Sequence, residues 1–516
     1  MIVPTNFSAL RTAASHGVVR RAVALFVLVV CARVVYISLF GVQTPFWDQW
    51  DAEAANLLKP WQDGTWSLTD LLSPHNEHRI AVTRLASLLV FETNGEQWNN
   101  LVSAYLNVPL AAAYLAILFW FLAWGASPRA QRGTFLVAAI VGVLPYSWEN
   151  FLVGFQNQFY FMALLAIVAM ALAAFRPDHW RYVFATAVAA FLGLVTTAGG
   201  VVGPVGVLII VGTRTWQRRS LSRMDLVTAV LMAAAIATAL VITPNVPGHE
   251  VLRAAGLQEN IRALITALMW PIEALPGMHF RFHFKLVAVI AIWLPPALWT
   301  WRFLRGRGAT PAALFALGIA GWGFVQALAI AHSRGHELGF LPSRYSDIPA
   351  IALIANAWFA FSLLDSVEPG PFTRRTAFAT AAAFLVVTGY GLVARLHEDV
   401  ARIASRAHYS GIETTNVAEY MATRDAGWLQ KPLMEIPYPD PTRLRTLLDD
   451  PTIGAMLPPV LNGVPPDRRK AAPLTAAANA LQHGVRRAVE AIVPGIVRVE
   501  APAGVQTPAG ATSASR

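Results

Sequence analysis

Four polar clusters interrupt an otherwise apolar chain, and each carries residue types able to do chemistry. The first is Thr44-Pro45-Phe46-Trp47-Asp48-Gln49-Trp50-Asp51-Ala52-Glu53, with three carboxylates within six residues and Trp47 and Trp50 among them. Carboxylates crowded in a partly desolvated place raise one another's proton affinity. One of them can take a proton from a hydroxyl while the indoles hold an amphiphilic substrate. The same residues also suit an interfacial anchor with a solvated acidic cap. The second cluster is Ser73-Pro74-His75-Asn76-Glu77-His78-Arg79. If it opens a helix, His75 and His78 share a face and, with Glu77 or Asp48, form a weak metal-ligand set; a helix N-terminal capping network is the alternative. The spacing supports no metal, because zinc sites repeat stronger patterns and the sole cysteine, Cys31, lies in the first apolar run.

The third cluster joins Ser147-Trp148-Glu149-Asn150-Phe151 to Gly154-Phe155-Gln156-Asn157-Gln158-Phe159-Tyr160. Glu149, Asn150, Gln156 and Gln158 stand where lipid-facing sequence should be apolar. Such groups usually face a cavity, where amides suit sugar hydroxyls, or they join helices by hydrogen bonds. The fourth cluster is basic: Arg281, His283 and Lys285, then His332, Arg334, His336, Arg344 and Tyr345. Arginine's forked donors suit a phosphate, and Glu337 or Asp347 are the plain salt-bridge partners available to Arg344.

The elements that must position these clusters are membrane spans. The chain has 516 residues, 55% hydrophobic and only 14% charged, with a mean hydropathy of +0.48. Soluble domains carry about a quarter charged residues, so the solvent here is largely lipid; disorder, coiled coil and collagen are excluded. The net charge of +10 does not indicate nucleic acid, because the arginines sit in short tracts between apolar runs. Runs near 20–40, 98–124, 133–147, 158–175, 181–196, 201–213, 224–243, 285–303, 311–331, 346–364 and 376–394 predict about eleven transmembrane helices. Arginine accumulates at every second connection, from Arg11, Arg20 and Arg21 to Arg374 and Arg375, which places the N-terminus in the cytoplasm. Parity then requires Gln258–Leu275 to lie along or dip into the outer face without crossing.

The predicted organisation is a cytoplasmic N-terminus (1–17), a transmembrane unit (18–395) with a long first periplasmic loop (41–97), a periplasmic extension (396–462) and a mobile Ala/Pro-rich tail (463–516). Arg79–Phe91 has the spacing of a helix lying on the membrane surface, and Leu474–Val493 that of a basic amphipathic helix.

With these residues in view, the chain resembles the C-type (GT-C) glycosyltransferase superfamily, polytopic enzymes that use polyprenyl-phosphate sugars on the non-cytoplasmic side. The similarity rests on the single N-terminal span, the long loop opening with Phe46-Trp47-Asp48-Gln49-Trp50-Asp51, its surface helices and the outer C-terminal extension. It implies an all-α fold in a bacterial inner membrane and an inverting transfer of one sugar, a hexose or a pentose such as arabinofuranose, to a hydroxyl. The first-loop base would be Asp48, or second Asp51. Carried onto this chain, the donor phosphate falls to Arg344, with Arg281, Lys285 and Arg334. The sugar and acceptor fall to His75, Glu77, His78, Glu149, Gln156 and Tyr345. The implied partners are a lipid-linked donor, a glycan, lipid or protein acceptor and membrane lipid, with no nucleic acid and no cofactor. The chain departs from the larger members in lacking a WWDYG-like signature and a large carbohydrate-binding domain. A transporter or flippase of a lipid-linked sugar is the competing expectation, favoured by the Thr196–Gly200 interruption and Gly203-Pro204. The one-sided clustering of charge weighs towards surface chemistry.

Overall fold

In the computed structural model, residues 16–274, 282–306, 310–336, 338–365, 374–463 and 472–494 are described. The chain is helical almost throughout. Its helices are α1 (His16–Phe40), α2 (Ala81–Thr93), α3 (Asn100–Ala123), α4 (Pro128–Val143), α5 (Asn157–Phe175), α6 (Trp180–Gly193), α7 (Val202–Arg218) and α8 (Arg223–Ile242). They continue as α9 (Leu257–Leu268), α10 (Phe282–Leu304), α11 (Pro311–Ser333), α12 (Asp347–Leu363), α13 (Arg374–Thr423) and α14 (Pro473–Ile492). Starts are written locally: Ser127 before Pro128, Ser222 before Arg223 and Thr310 before Pro311 each accept a backbone N–H of the first turn.

Eight of the helices, α1, α3, α5, α7, α8, α10, α11 and α13, are long and apolar enough to cross a membrane. The protein is therefore an all-α polytopic chain. Three shorter helices, α4, α6 and α12, of 16, 14 and 17 residues, occupy the places of the remaining expected spans. At 12 residues, α9 reaches only about 18 Å, short of a hydrocarbon core. Lipid gives no hydrophobic drive between helices, so close packing of small residues must serve. A Cβ on Gly323 of α11 would stand 2.5 Å from Cβ of Ala352 on α12, and one on Gly206 of α7 would stand 3.3 Å from the Gly318 carbonyl of α11.

The polar residues at the helix ends gather into two unlike groups, so the bundle has two unlike ends. The far end carries Arg129, Arg214, Arg218 and Arg302; Arg214 is sealed against Asp225 and donates to the Ala173 carbonyl at 2.7 Å. The other end, the head, carries both long polar segments, and they fold together. Trp50, Leu57, Leu58, Leu88, Phe91 and Trp98 from the first loop share one apolar core with Val417, Tyr420, Leu444, Ile453 and Leu457 from the C-terminal extension.

The architecture bears on three expectations. The helix α13 runs 50 residues without a break through 395/396, from the bundle into the head. The helix expected at Leu474–Val493 is present as α14; it lies against α1 and α3, and Arg486 donates to the Ser38 and Leu39 carbonyls, satisfying orphan acceptors at the end of α1. His75 and His78 do not open a helix. They lie in an antiparallel hairpin of β1 (Pro74–His75) and β2 (His78–Arg79), turned by Asn76 at φ 48°, a left-handed conformation that Asn tolerates.

Candidate active site

The first loop enters the head through a strained turn. Trp47 adopts φ 49° and donates its N–H to the Pro437 carbonyl at 2.7 Å, after which the chain winds into a wide-turn helix, Trp50–Leu58. This geometry sends the three acidic side chains of the motif to different places. Glu53 is sealed inside and accepts from Gln49 Nε2 at 2.8 Å, Ser87 Oγ at 2.6 Å and Trp98 Nε1 at 3.1 Å, with burial pushing its pKa up. Asp51 faces the C-terminal extension, where Arg443 Nη2 lies at 2.8 Å and the Tyr438 hydroxyl also donates to it. It is therefore a latch between two parts of the head. Of the three, only Asp51 has a Lys or Arg in salt-bridge contact among the described residues, and Asp48, unlike the sealed Glu53, stays partly open. The neighbour of Asp48 is His75, whose Nε2 lies 3.8 Å from Oδ2.

Asp48 keeps 50% of its side-chain surface open. It is nevertheless surrounded closely enough that burial is the largest influence on its pKa, acting upward; His75, Arg344 and His78 together outweigh it and hold the carboxyl below its usual value. Arg344 has the same character, with 40% of its side chain open. Burial opposes its charge, and Tyr345, Glu149 and Asp48 more than restore it, so its pKa is raised. The two groups thus lie within electrostatic reach of one another.

Arg344 is held from behind. Glu149 Oε2 accepts its backbone N–H at 2.8 Å, Glu149 Oε1 lies 3.4 Å from Nη1, and the guanidinium carbon lies 5.2 Å from the Tyr345 ring centre. The salt-bridge partner is therefore Glu149, where the sequence offered Glu337 or Asp347. Asp347 instead accepts from the Tyr114 hydroxyl at 2.8 Å and Asn150 Nδ2 at 2.7 Å, deep in the bundle. Glu337 lies outside the described residues. Ser343 accepts the Glu149 N–H and Ser346 accepts from Arg395, so Ser343–Asp347 is pinned along its length and Arg344 is preorganised.

The hairpin supplies the histidines beside Asp48. His75 and His78 are cross-strand partners and so project to one side, by the strand rule in place of the helical one. The His78 ring accepts the Ala198 N–H through Nδ1 at 3.1 Å, and burial pushes its pKa down to about 4. Glu77, at the hairpin tip, meets His249 Nδ1 at 2.6 Å and Arg334 Nη2 at 2.8 Å. Those partners overcome burial and bring its pKa down to about 2. It turns towards those two residues, away from any ligand set with His75 and His78. Phe155 packs edge-on to His75 at 5.4 Å, and Gln156, next in the chain, accepts from Gln158 Nε2 at 3.2 Å. The Phe159 and Tyr345 rings meet at 5.9 Å. A shallow groove lined by Glu77, Arg79, Ala198, Val201 and Thr243 adjoins the hairpin.

The structure thus brings Asp48, His75, Glu77, His78, Glu149, Arg334, Arg344 and Tyr345 to one region, with Gln156 beside it and Asp51 turned away. Arg281 lies outside the described residues. No ion pair among the described residues ties Lys285, half-buried on the first turn of α10, to this group. Three participants were not singled out from sequence. His249, in the connection after α8, completes the Glu77 pair, and Arg443 with Tyr438 decides the fate of Asp51. A charge opposite in sign to a first-loop acid was the available signal for Arg443, but nothing local links positions 392 residues apart. Comparison with family models, with curated proteins and with solved structures finds no match for this chain.

Proposed function

We propose that the protein is an inverting glycosyltransferase of the C-type kind, moving one sugar from a polyprenyl-phosphate donor to an acceptor hydroxyl. The observation that carries this reading is that Asp48 and Arg344, each partly open to solvent and otherwise desolvated, lie within electrostatic reach of one another; in the proposed site they line one recess. In the proposed reaction the acceptor hydroxyl gives its proton to an Asp48 oxygen as its own oxygen attacks the anomeric carbon. The carbon–oxygen bond to the phosphate breaks, and its electron pair leaves with the phosphate. Arg344, preorganised by Glu149, stabilises the charge that grows there. A phosphate whose charge is compensated is a competent leaving group, so no general acid is invoked. The gathering of paired charge at the head favours this reading over translocation, which calls for polar groups spread towards mid-membrane.

The arginine-rich far end would face the cytoplasm and the head the periplasm of a bacterial inner membrane, with eleven crossings once α4, α6 and α12 are included. Reporters fused at Gly248 and Met278 should then report the same side; opposite sides would remove this topology. The activity is tested by incubating the purified protein in nanodiscs with a panel of radiolabelled polyprenyl-phosphate sugars and candidate acceptors, reading release of the lipid phosphate. Turnover is expected with at least one donor, and Asp48→Asn should abolish it while the amount of folded protein stays constant. Undiminished turnover by that variant would take the base role from Asp48.

A further inference from the structure

His75 is placed unlike any other histidine of the head. Its side chain is 9% exposed, and its Nε2, facing the Asp48 carboxylate at 3.8 Å, makes no hydrogen bond. Buried polar atoms are rarely left so, and a shift of under 1 Å would close the contact. The ring is fixed on its other sides. Phe155 lies edge-on against it, and the hairpin that carries it is tied at the tip through Glu77 to Arg334 and His249. The charges and titratable groups around it are Asp48 on the strained turn, the sealed Glu53 on the wide-turn helix and His78 on the facing strand. His78 already spends Nδ1 on the Ala198 N–H and has a depressed proton affinity, so it is the poorer proton acceptor of the two.

We propose that His75 is the positioning residue for Asp48 and the store for the proton that Asp48 removes, an inference that rests on the sugar-transfer reading. The chemistry requires such a partner. Arg344 and the histidines stabilise the Asp48 carboxylate, which makes it a weak proton acceptor on its own. A proton arriving at an Asp48 oxygen passes to His75 Nε2, the buried nitrogen that faces that carboxylate at 3.8 Å with no hydrogen bond of its own. The result is an imidazolium facing a restored carboxylate, charge-balanced while the new glycosidic bond forms and the phosphate departs. The proton then leaves to water through the open side of Asp48. Before turnover, the same contact orients the carboxylate towards the recess.

The test has two arms on the full-length protein in nanodiscs. The first needs no substrate: histidine Cε1 hydrogen–deuterium exchange followed by mass spectrometry gives the titration midpoint of each imidazole. Asp48→Asn is expected to lower the His75 proton-binding constant at least about tenfold, as loss of an adjacent carboxylate should. The midpoint of His249, whose partner is Glu77, should stay in place. An unmoved His75 midpoint overturns the pairing whatever the protein catalyses. The second arm measures lipid-phosphate release from the polyprenyl-phosphate sugar panel against pH. His75→Gln, which keeps a hydrogen-bonding amide but cannot take a proton, should lower kcat by roughly 10²-fold with KM little changed and abolish the acid limb of the profile. Partial rescue by added imidazole is expected for His75→Ala. A His75→Gln enzyme with wild-type kcat and pH profile overturns the proton store. Wild-type protein that transfers from no donor while His75 and Asp48 remain coupled overturns the sugar-transfer reading and not the pair.

Discussion

Two groups of charge lie close to one another along the chain at Arg344–Asp347, and they are built for opposite purposes. In the proposed site, Asp48 and Arg344 leave 50% and 40% of their side chains open. Behind it, Arg395 on α13 is sealed between Asp399 at 2.9 Å, Glu273 and the Ser346 hydroxyl at 3.0 Å, with Arg395, Glu273 and Asp399 each 1% open. The sealed group joins the 272–274 turn, α13 and the Ser343–Asp347 segment, and so fixes the backbone that carries Arg344. A buried ion set gives little net stability relative to an apolar replacement, yet losing one member leaves uncompensated charge in a dry place. An open pair has water in reserve. The contrast separates groups available to a ligand from groups that hold the wall in place.

The comparison breaks most visibly by substitution on each side of it. Asp48→Asn is expected to cost 10²–10⁴-fold in transfer, the usual share of a general base, while the thermal unfolding midpoint in detergent hardly moves. Arg395→Ala should do the reverse in origin. It strands Glu273 and Asp399 and lowers stability by about 3–5 kcal/mol, seen as a large drop in the unfolding midpoint, with activity lost mainly because folded protein is lost. Equal unfolding losses in both variants would erase the distinction. Next in size is the Asp51 latch. Arg443→Ala and Tyr438→Phe should each cost about 1 kcal/mol or less, since the Arg443 pair is partly exposed, and should raise amide exchange in the 433–462 segment more than in the bundle.

Acidification offers a finer separation. The His78 pKa lies near 4 in the fold, below the ordinary histidine value, so the unfolded chain binds that proton more readily. Its contribution to stability is therefore present above about pH 6.5 and is lost as pH falls towards 4. Glu77, near 2, contributes above its ordinary range and loses that contribution only as pH falls from about 4.5 towards 2. Unfolding midpoints against pH should show His78→Gln flattening the first window and Glu77→Gln the second. A His78→Gln curve parallel to wild type between pH 4 and 6.5 would remove His78 from the account.

Much of the bundle was legible because lipid imposes length and apolarity on every span, and the residue clusters at its head could be listed from their types. What could not be read was which acid meets which base. Asp48 and Asp51 look equivalent in sequence. Arg443 and Tyr438, far along the chain, capture one and leave the other partly open. Arg344 likewise takes Glu149 over the nearer Asp347, because the Trp148–Leu152 turn comes across to it while Asp347 points into the bundle. The hairpin at His75–His78 escaped because four strand residues carry no alternation to detect. The head core escaped because its halves lie at opposite ends of the chain. The continuation of α13 past residue 395 was hidden by a change in hydropathy that ends a span without ending a helix.

The most direct test is a cryo-EM map of the protein in nanodiscs loaded with a polyprenyl monophosphate. The account predicts phosphate density against the Arg344 guanidinium, with the Asp48 carboxylate facing it across the recess. Phosphate bound elsewhere on the bundle, with Arg344 still engaged only by Glu149 and Tyr345, would contradict it.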